Sequence, residues 1–480
     1  MEHCDALTFV QSLAPTWRKT QHAVLADVIM AVQERPSLCL TEIARAMPPG
    51  PGAGPDSPLH GRLKRLNRFL SNPRLDEAAI FVRWFHLACH FGEDLPLAPD
   101  GRPLLPLLLD TTYFEPFAAL IVSVPCGSRG LPIAFTTYDR YTLEACFPPQ
   151  AMWPTYDTSI CPPAPGKGQR FVPASSVVQP WLSQNLIEEH LLDYVWSFLT
   201  PTLRAIVIAD RGFARATLFR RLLGQRRDFV IRFDADTWLT LPHGTSGPAE
   251  EVVSLRPGQR RWVPEAYYGQ KDHVPLAVMA VWDSGQKEPW YLATTLPDGH
   301  TAETIYRWRM RIECANRDEK SGVVMREGGD KHRLTSVLHL HRLLLADLCT
   351  HWLAALTGLQ AHRDLPADNS ATPDPLNASL EHALPNTTAL DMLDQGPAQP
   401  PPVIPHRGPT PKLPRWMRPF AVRGHLSYVR LGMEILRASD LVTLVRRAVR
   451  WLAIHLWRLR PLWRPWQVRY RLRHWWPLPT

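Results

Sequence analysis

Two apolar runs of the 480-residue chain end in an aspartate, at Asp110 and at Asp210. The carboxyl ends of strands in an α/β sheet are where ligands and catalytic groups gather. Asp139 ends another apolar run and is a second candidate for the first acid. We prefer Asp110, because its run is the more apolar and predicts the more central strand. Each aspartate also has a plainer explanation, since an aspartate after a strand often only forms a turn.

The segment 306–320 predicts a helix with polar side chains along one face. Its members are Tyr306, Arg309, Glu313 and Lys320. At about 100° per residue, all four fall within an arc of about 60°. A carboxylate flanked by a phenol, a guanidinium and an ammonium suits work on a metal ion and a phosphate. The alternative is a salt-bridged helix surface, which explains Arg307 and Arg311 better than it explains these four.

The elements that must position these residues predict an α/β fold. Three strand-like runs within residues 104–139 precede an alternation of helix (183–199), strand (204–210), helix (214–225) and strand (228–233). That order is the order of an RNase H-like sheet. Residues 241–300 hold more strand-like pieces and predict a β-rich insertion, while residues 147–180 predict a Pro-rich loop. The catalytic core is therefore predicted over residues 96–240 and 301–356.

Residues 1–95 predict an α-helical domain that ends in a basic helix. The segment 60–70 carries Lys64, Arg65 and Arg68, which are candidate DNA contacts. A helix, a loop and a basic helix suit a DNA-binding unit of helix-turn-helix type. A small helical bundle with a solvated basic face explains the same segment equally well.

The C-terminal part of the chain is strongly basic. Residues 401–480 contain 16 Lys and Arg against 2 Asp and Glu, whereas the whole chain has a formal net charge of +9. A tail with this charge is expected to bind a polyanion, and nucleic acid is preferred over an acidic membrane as that partner. Residues 361–425 predict a Pro-rich linker and residues 426–480 a helical basic region. An apolar stripe within 426–457 predicts a packed or subunit-pairing helix.

Composition excludes several classes of protein. With 45% hydrophobic and 21% charged residues, the chain is neither wholly disordered nor fibrous. Its 8 cysteines are scattered without a CxxC pair, so neither a zinc ribbon nor a disulfide framework is indicated. The first residues do not resemble a signal peptide, and no run of 18 apolar residues predicts a membrane span. The His-rich stretch 339–352 is interpreted as structural.

The spacing of Tyr306, Arg309, Glu313 and Lys320 resembles the Tyr-Arg-Glu-Lys signature of bacterial DDE transposases of the insertion-sequence-four type. LLLDTTYF resembles the first-Asp strand of that family, ADRGF followed by FVIR resembles its second-Asp block, and PWYLATT resembles the strand before its signature helix. The resemblance extends over roughly residues 60–345. It implies an RNase H-like core interrupted by a β insertion, flanked by helical regions.

The resemblance also implies a catalytic triad of Asp110, Asp210 and Glu313 that holds two Mg²⁺ ions, with Mn²⁺ as a substitute. It implies that Tyr306, Arg309 and Lys320 contact phosphates near the transposon end, and that Trp290 stacks on DNA near a flipped base. A core strand residue is a nearly equal account of Trp290.

The implied partners are transposon-end DNA, target DNA and a second copy of the chain in a homodimeric synaptic complex, without a membrane. The implied location is the bacterial cytoplasm, in association with the nucleoid. Two other interpretations stay open: an RNase H-like nuclease or resolvase that cuts without joining, and an inactive relative that only binds DNA.

Overall fold

The computed structural model describes residues 2–35, 37, 39–50, 58–91, 98, 101–102, 104–126, 129–147, 177–181, 183–199, 203–310, 334–363, 428–437 and 442–458. Glu313, Lys320, residues 364–425 of the predicted linker and the arm after residue 458 lie outside these ranges.

The described α-helices are α1 (His3–Leu13), α2 (Lys19–Glu34), α3 (Leu40–Ala46), α4 (Leu59–Leu70), α5 (Ala78–Phe91), α6 (Gln184–Trp196), α7 (Ala216–Gly224), α8 (Ala249–Val252), α9 (Gly299–Arg307), α10 (Val337–Arg363), α11 (Tyr428–Arg437) and α12 (Val442–Arg458). The described strands are β1 (Leu104–Phe114), β2 (Phe117–Cys126), β3 (Arg129–Asp139), β4 (Glu144–Phe147), β5 (Val177–Pro180), β6 (Arg204–Ala209), β7 (Asp228–Phe233), β8 (Trp238–Thr240), β9 (Ser246–Pro248), β10 (Arg260–Tyr268), β11 (Val274–Val281) and β12 (Trp290–Thr294).

All of these strands join one mixed sheet in the order β5-β4-β3-β2-β1-β6-β7-β12-β11-β10-β8-β9. At its centre β1 runs parallel to β6, and β6 runs parallel to β7. On the other side of β1, β2 is antiparallel to both β1 and β3. The predicted α/β class is confirmed, and the central strands follow the predicted order.

The outer strands differ from the sequence expectation in two respects. Strand β5 lies inside the stretch 147–180 that was predicted to be a loop, because Val177 and Val178 pair with the end of β4. The β-rich segment predicted at 241–300 continues the central sheet, since β12 pairs antiparallel with β7 and the remaining strands follow outward.

The two faces of the central strands contact different helices. Leu104 and Leu108 of β1, with Ile206 and Ile208 of β6, lie in a cluster that includes buried residues of α9. The alternate residues of the same strands, such as Leu107, lie in the larger cluster with α5 and α10. Because side chains alternate along a strand, even-numbered positions of β1 and β6 share the α9 face.

Helix α10 is the central helix of the opposite face. It is long and apolar enough to cross a membrane by length and composition alone, but most of it is buried inside the protein. Arg342 is fully buried, donates to the Leu70 carbonyl and pairs with Glu77 at 3.2 Å. His341 lies 3.2 Å from the other oxygen of Glu77. These buried contacts join the N-terminal helices to α10.

The C-terminal helices also pack within the chain. Helix α11 lies along α10, and α12 contacts both α10 and α1. Gly432 makes this crossing close, since a Cβ there would stand 1.7 Å from the Ala354 carbonyl oxygen. The predicted apolar stripe of α12 is buried against this chain at Leu444, Val445, Ala448 and Leu452.

Candidate active site

Asp110 and Asp210 lie side by side in the sheet. Leu109 of β1 is in register with Ala209 of β6, so the next residue of each strand is one of the two aspartates. Neighbouring strands are about 5 Å apart, which brings the two backbones close at this point. Both aspartates occupy the even-numbered positions that share the α9 face. The structure therefore brings two of the three predicted acids together.

The Asp210 side chain is held at the end of β6 by two hydrogen bonds. Its Oδ1 accepts from the Gly212 amide at 3.0 Å, within a short 3-10 turn at Arg211–Phe213. Its Oδ2 accepts from Arg309 Nη2 at 3.1 Å. The side chain is 34% exposed, and each carboxylate oxygen keeps a further lone pair. Asp210 is thus oriented but still able to bind a ligand.

Asp139, the alternative first acid, lies away from this pair. It is in register with Phe117, which pairs in turn with Phe114, four residues beyond Asp110. That offset is about 13 Å along the strands and two strands across. Asp139 Oδ1 accepts from the amides of Tyr141 and Thr142 at 2.8 and 2.9 Å. These hydrogen bonds are typical of an aspartate that stabilises a turn. The geometry therefore favours Asp110 over Asp139 as the first acid.

Helix α9 brings the first half of the predicted signature to the two aspartates. It is capped by Asp298, whose side chain accepts from the Thr301 amide, and it tightens at its end, where the Arg309 amide bonds to the Tyr306 carbonyl at 2.9 Å. Tyr306 is buried at 3% exposure, whereas the Arg309 side chain, 14% exposed, reaches Asp210. Glu313 and Lys320, the other two signature residues, lie outside the described residues.

Trp290 begins β12 and packs between two residues of α9. The Tyr306 ring meets its indole edge-on at 5.2 Å, and the Arg307 guanidinium lies 5.5 Å from its ring centre. The indole is half-buried against the α9 cluster. Trp290 therefore has a packing role whether or not it also contacts DNA.

A network of ion pairs fixes α9 on the outer strands. Arg307 bonds to Glu303 and, at 2.8 Å, to Asp283, while Arg260 bonds to both acids at 2.9 Å. Burial alone would raise the pKa of Glu303, but the hydrogen bonds from Arg260 and Arg307 lower it overall. The hydrogen bond from Arg307 lowers the pKa of Asp283. Sequence reasoning assigned Arg307 to a salt-bridged surface, which is where it lies.

The residues present at this edge fit a hard divalent cation. Carboxylate oxygens are the ligands that Mg²⁺ prefers. Asp210 supplies them from the end of β6, whereas Asp110 lies inside β1, which continues to Phe114 and not to the predicted end at Asp110. Within the described part of the chain, the one close group of three potential ligands is Glu2, Cys4 and Asp5. Arg446 pairs with both of those acids, so that group is a terminal salt bridge.

The three predicted DNA contacts of α4 differ in their surroundings. Lys64 and Arg68 are exposed. Arg65 is 19% exposed, pairs with Asp27 of α2 at 3.1 Å and donates to the Pro48 carbonyl at 2.6 Å. The connection between α3 and α4 runs from residue 47 to residue 58, whereas the turn of a helix-turn-helix has about three or four residues.

Residues 189–353 match the model of the transposase DDE domain. This matched domain contains Asp210, Trp290 and the whole signature segment, and it begins after Asp110. No curated protein matches the chain. The matched domain supports a DDE transposase, a class of enzyme that acts on DNA and generally depends on a divalent metal.

The assignment of Asp110 as a candidate acid therefore rests on the strand register, because Asp110 lies outside the matched domain. Sequence reasoning did not single out Arg211, which follows Asp210 directly. Its side chain is 53% exposed and lies 3.3 Å from Asp234 and 3.7 Å from Glu288, so its charge is already paired within the protein.

Proposed function

We propose that this chain is a DNA transposase of the insertion-sequence-four type that binds the ends of its element, cleaves them and joins the 3′-hydroxyl ends to target DNA. The observation that carries the proposal is that Asp110 of β1 and Asp210, the residue after β6, are neighbours where the pairing of these two strands ends, the second of them inside a transposase DDE domain. The Tyr-Arg-Glu-Lys spacing supports the finer assignment.

Asp110, Asp210 and Glu313 would hold the divalent cations, two Mg²⁺ ions in this proposal. Bound metal ions of this kind activate an attacking oxygen and stabilise the leaving oxygen of a phosphodiester. Asp210 is pre-oriented for this task by the Gly212 amide and by Arg309. The task of the chain is to hold carboxylates at fixed positions on the sheet, so that little reorganisation is needed when the substrate binds.

The basic and aromatic residues around this edge would position the DNA. Arg309 lies beside Asp210 and can stabilise a phosphate that approaches the same site. Lys320 and Tyr306 are proposed to contact phosphates near the cleaved end, and for the buried Tyr306 this contact requires a rearrangement. Trp290 would offer an aromatic face to a displaced base. Homodimeric synapsis and a nucleoid-associated location in the bacterial cytoplasm belong to the same proposal.

The decisive experiment incubates the purified protein with duplexes that carry the ends of its own element, together with a target plasmid and Mg²⁺ or Mn²⁺. We expect nicked ends followed by strand-transfer products on a denaturing gel. Asp210→Ala should bind the ends and produce neither product, while Asp139→Ala serves as the matched control and should produce both.

Two outcomes would favour the other interpretations. Cleavage of the ends without any joined product would identify an RNase H-like nuclease or resolvase. Binding of the ends without cleavage, in either metal, would identify an inactive DNA-binding relative.

A further inference from the structure

Helix α4 has two faces with different tasks. Its inward face holds Arg62 and Arg65, which are committed to the protein. Arg62 donates to the carbonyls of Arg45 and Met47, each at 3.1 Å, and so caps the end of α3. Arg65 pairs with the buried Asp27. Two of the four cations of α4 are thus structural.

The outward face of α4 is open and has no acidic residue. Its residues are His60, Leu63, Lys64, Asn67, Arg68 and Ser71. These residues recur at helical spacing over roughly 16 Å, which is about five base-pair steps of duplex. The whole helix contains no Asp or Glu. A polyanion is therefore the complementary partner of this face.

This face contains side chains of the types that recognise bases and side chains of the types that contact phosphates. In the major groove Arg bonds to guanine and Asn bonds to adenine in a bidentate manner. Lys, Ser and His can contact phosphates, and such contacts fix the register on the duplex without carrying sequence information. Asn67 and Arg68 are consecutive residues in the last turn of α4, and Lys64 lies one turn before them on the same face. The major groove, about 12 Å wide, admits a helix presented in this way.

Helix α4 is also fixed to the body of the protein through α10. Ser71 at its end hydrogen-bonds to His339 of α10 at 2.9 Å. The start of α10 is fixed on β3, where the Thr137 hydroxyl donates to the Val337 carbonyl. The outward face of α4 is therefore presented from a rigid support.

We propose that α4 reads duplex DNA in the major groove, with Asn67 and Arg68 contacting bases and Lys64 contacting a phosphate, while Arg62 and Arg65 only hold the helix in place. This inference rests on the proposed function, because it names the element that recognises the transposon end. It replaces Arg65 with Asn67 among the DNA contacts and makes α4 specific rather than merely basic.

The test selects binding sites from a pool of random 25-base-pair duplexes, using the full-length protein. The wild type should enrich one motif. Asn67→Ala and Arg68→Ala should each lose roughly ten- to hundredfold in preference for that motif at one position. Arg68→Lys, which keeps the charge, should retain nonspecific affinity and still lose the preference. Lys64→Ala should weaken all duplexes alike and reduce the salt slope by about one.

Arg65→Ala is the control for folding. It should lower the melting temperature and leave the selected motif unchanged at a temperature where the protein is folded. The inference is overturned if the wild type enriches no motif, or if folded Asn67→Ala and Arg68→Ala enrich the wild-type motif with the wild-type preference. Cleavage and joining by those same variants would show that only this inference had failed, whereas the proposed function fails if the wild type itself cuts no DNA.

Discussion

Divalent cations should raise the melting temperature of the protein, and Asp110→Asn or Asp210→Asn should abolish that rise. The reason is that a ligand which binds only the folded state stabilises it, by about 2.7 kcal/mol at a hundred times its dissociation constant. One hydrophobic core joins the helices at both ends of the chain to the sheet, so the cooperative unit has about 300 residues. With an unfolding entropy of about 2.1 cal/mol/K per residue, the expected shift is about 4 °C.

Asp139→Asn is the matched control for this measurement. The amide oxygen of the substituted side chain would still accept the hydrogen bonds from the Tyr141 and Thr142 amides, so the turn after β3 is preserved. That variant should melt like the wild type and keep the full metal-induced shift. The assay is a thermal melt followed by intrinsic fluorescence with increasing Mg²⁺ or Mn²⁺. A shift retained by both Asp110→Asn and Asp210→Asn, or lost only in Asp139→Asn, would refute the assignment of the acids.

Three further predictions concern the site and the packing. Arg309→Ala should lower the Mn²⁺ concentration at the midpoint of the thermal shift by about fivefold. The substitution removes the guanidinium beside Asp210, whose repulsion of a bound metal ion is worth about 1 kcal/mol at a partly solvated site. An unchanged midpoint would contradict this. Gly432→Ala should destabilise the fold by at least about 3 kcal/mol in urea melts, because the new methyl group would overlap the α10 backbone. Gly224→Ala, which meets open space at the end of α7, should not. Burial lowers the pKa of His190 from 6.5 to about 4, so its neutral form is favoured in the folded state. Its stabilising effect is complete above pH 6.5 and is lost as the pH falls towards 4, by about 1–2 kcal/mol at pH 5. His190→Phe should reduce the dependence of the unfolding free energy on pH over that interval, and His86, whose pKa burial also lowers to about 4, would account for the dependence that remains; an unchanged pH profile would exclude His190 as a cause.

The central strands could be predicted from sequence because their signal is local. The runs before Asp110 and Asp210 are apolar on both faces, as expected for buried strands between two layers of helices. What the sequence did not contain was their register, which places Leu109 opposite Ala209 and so turns two separate aspartates into a pair. Register is a tertiary property, and it separates Asp110 from Asp139.

The function of individual cations was the least predictable feature. Arg65 and Arg68 are three residues apart on one basic helix, and the sequence treats them alike. Their difference comes from Asp27, which lies on another helix and neutralises only Arg65. Strand β5 was missed for a similar reason, because it is defined by pairing with β4 rather than by its own Pro-flanked sequence.

The packing of α11 and α12 has a consequence for how the protein is made. Helix α12 ends at Arg458 and contacts α1, which begins at His3. The N-terminal helices can therefore complete their packing only after the last part of the chain has been synthesised. At about 5–20 residues per second, roughly 20–90 s of synthesis separate the two partners. During that time the ribosome carries a nascent chain in which the apolar helix α10 is not yet packed against α11 and α12. We expect chaperones to hold this intermediate, and any translation product that stops before Tyr428 to be degraded rather than to compete for DNA.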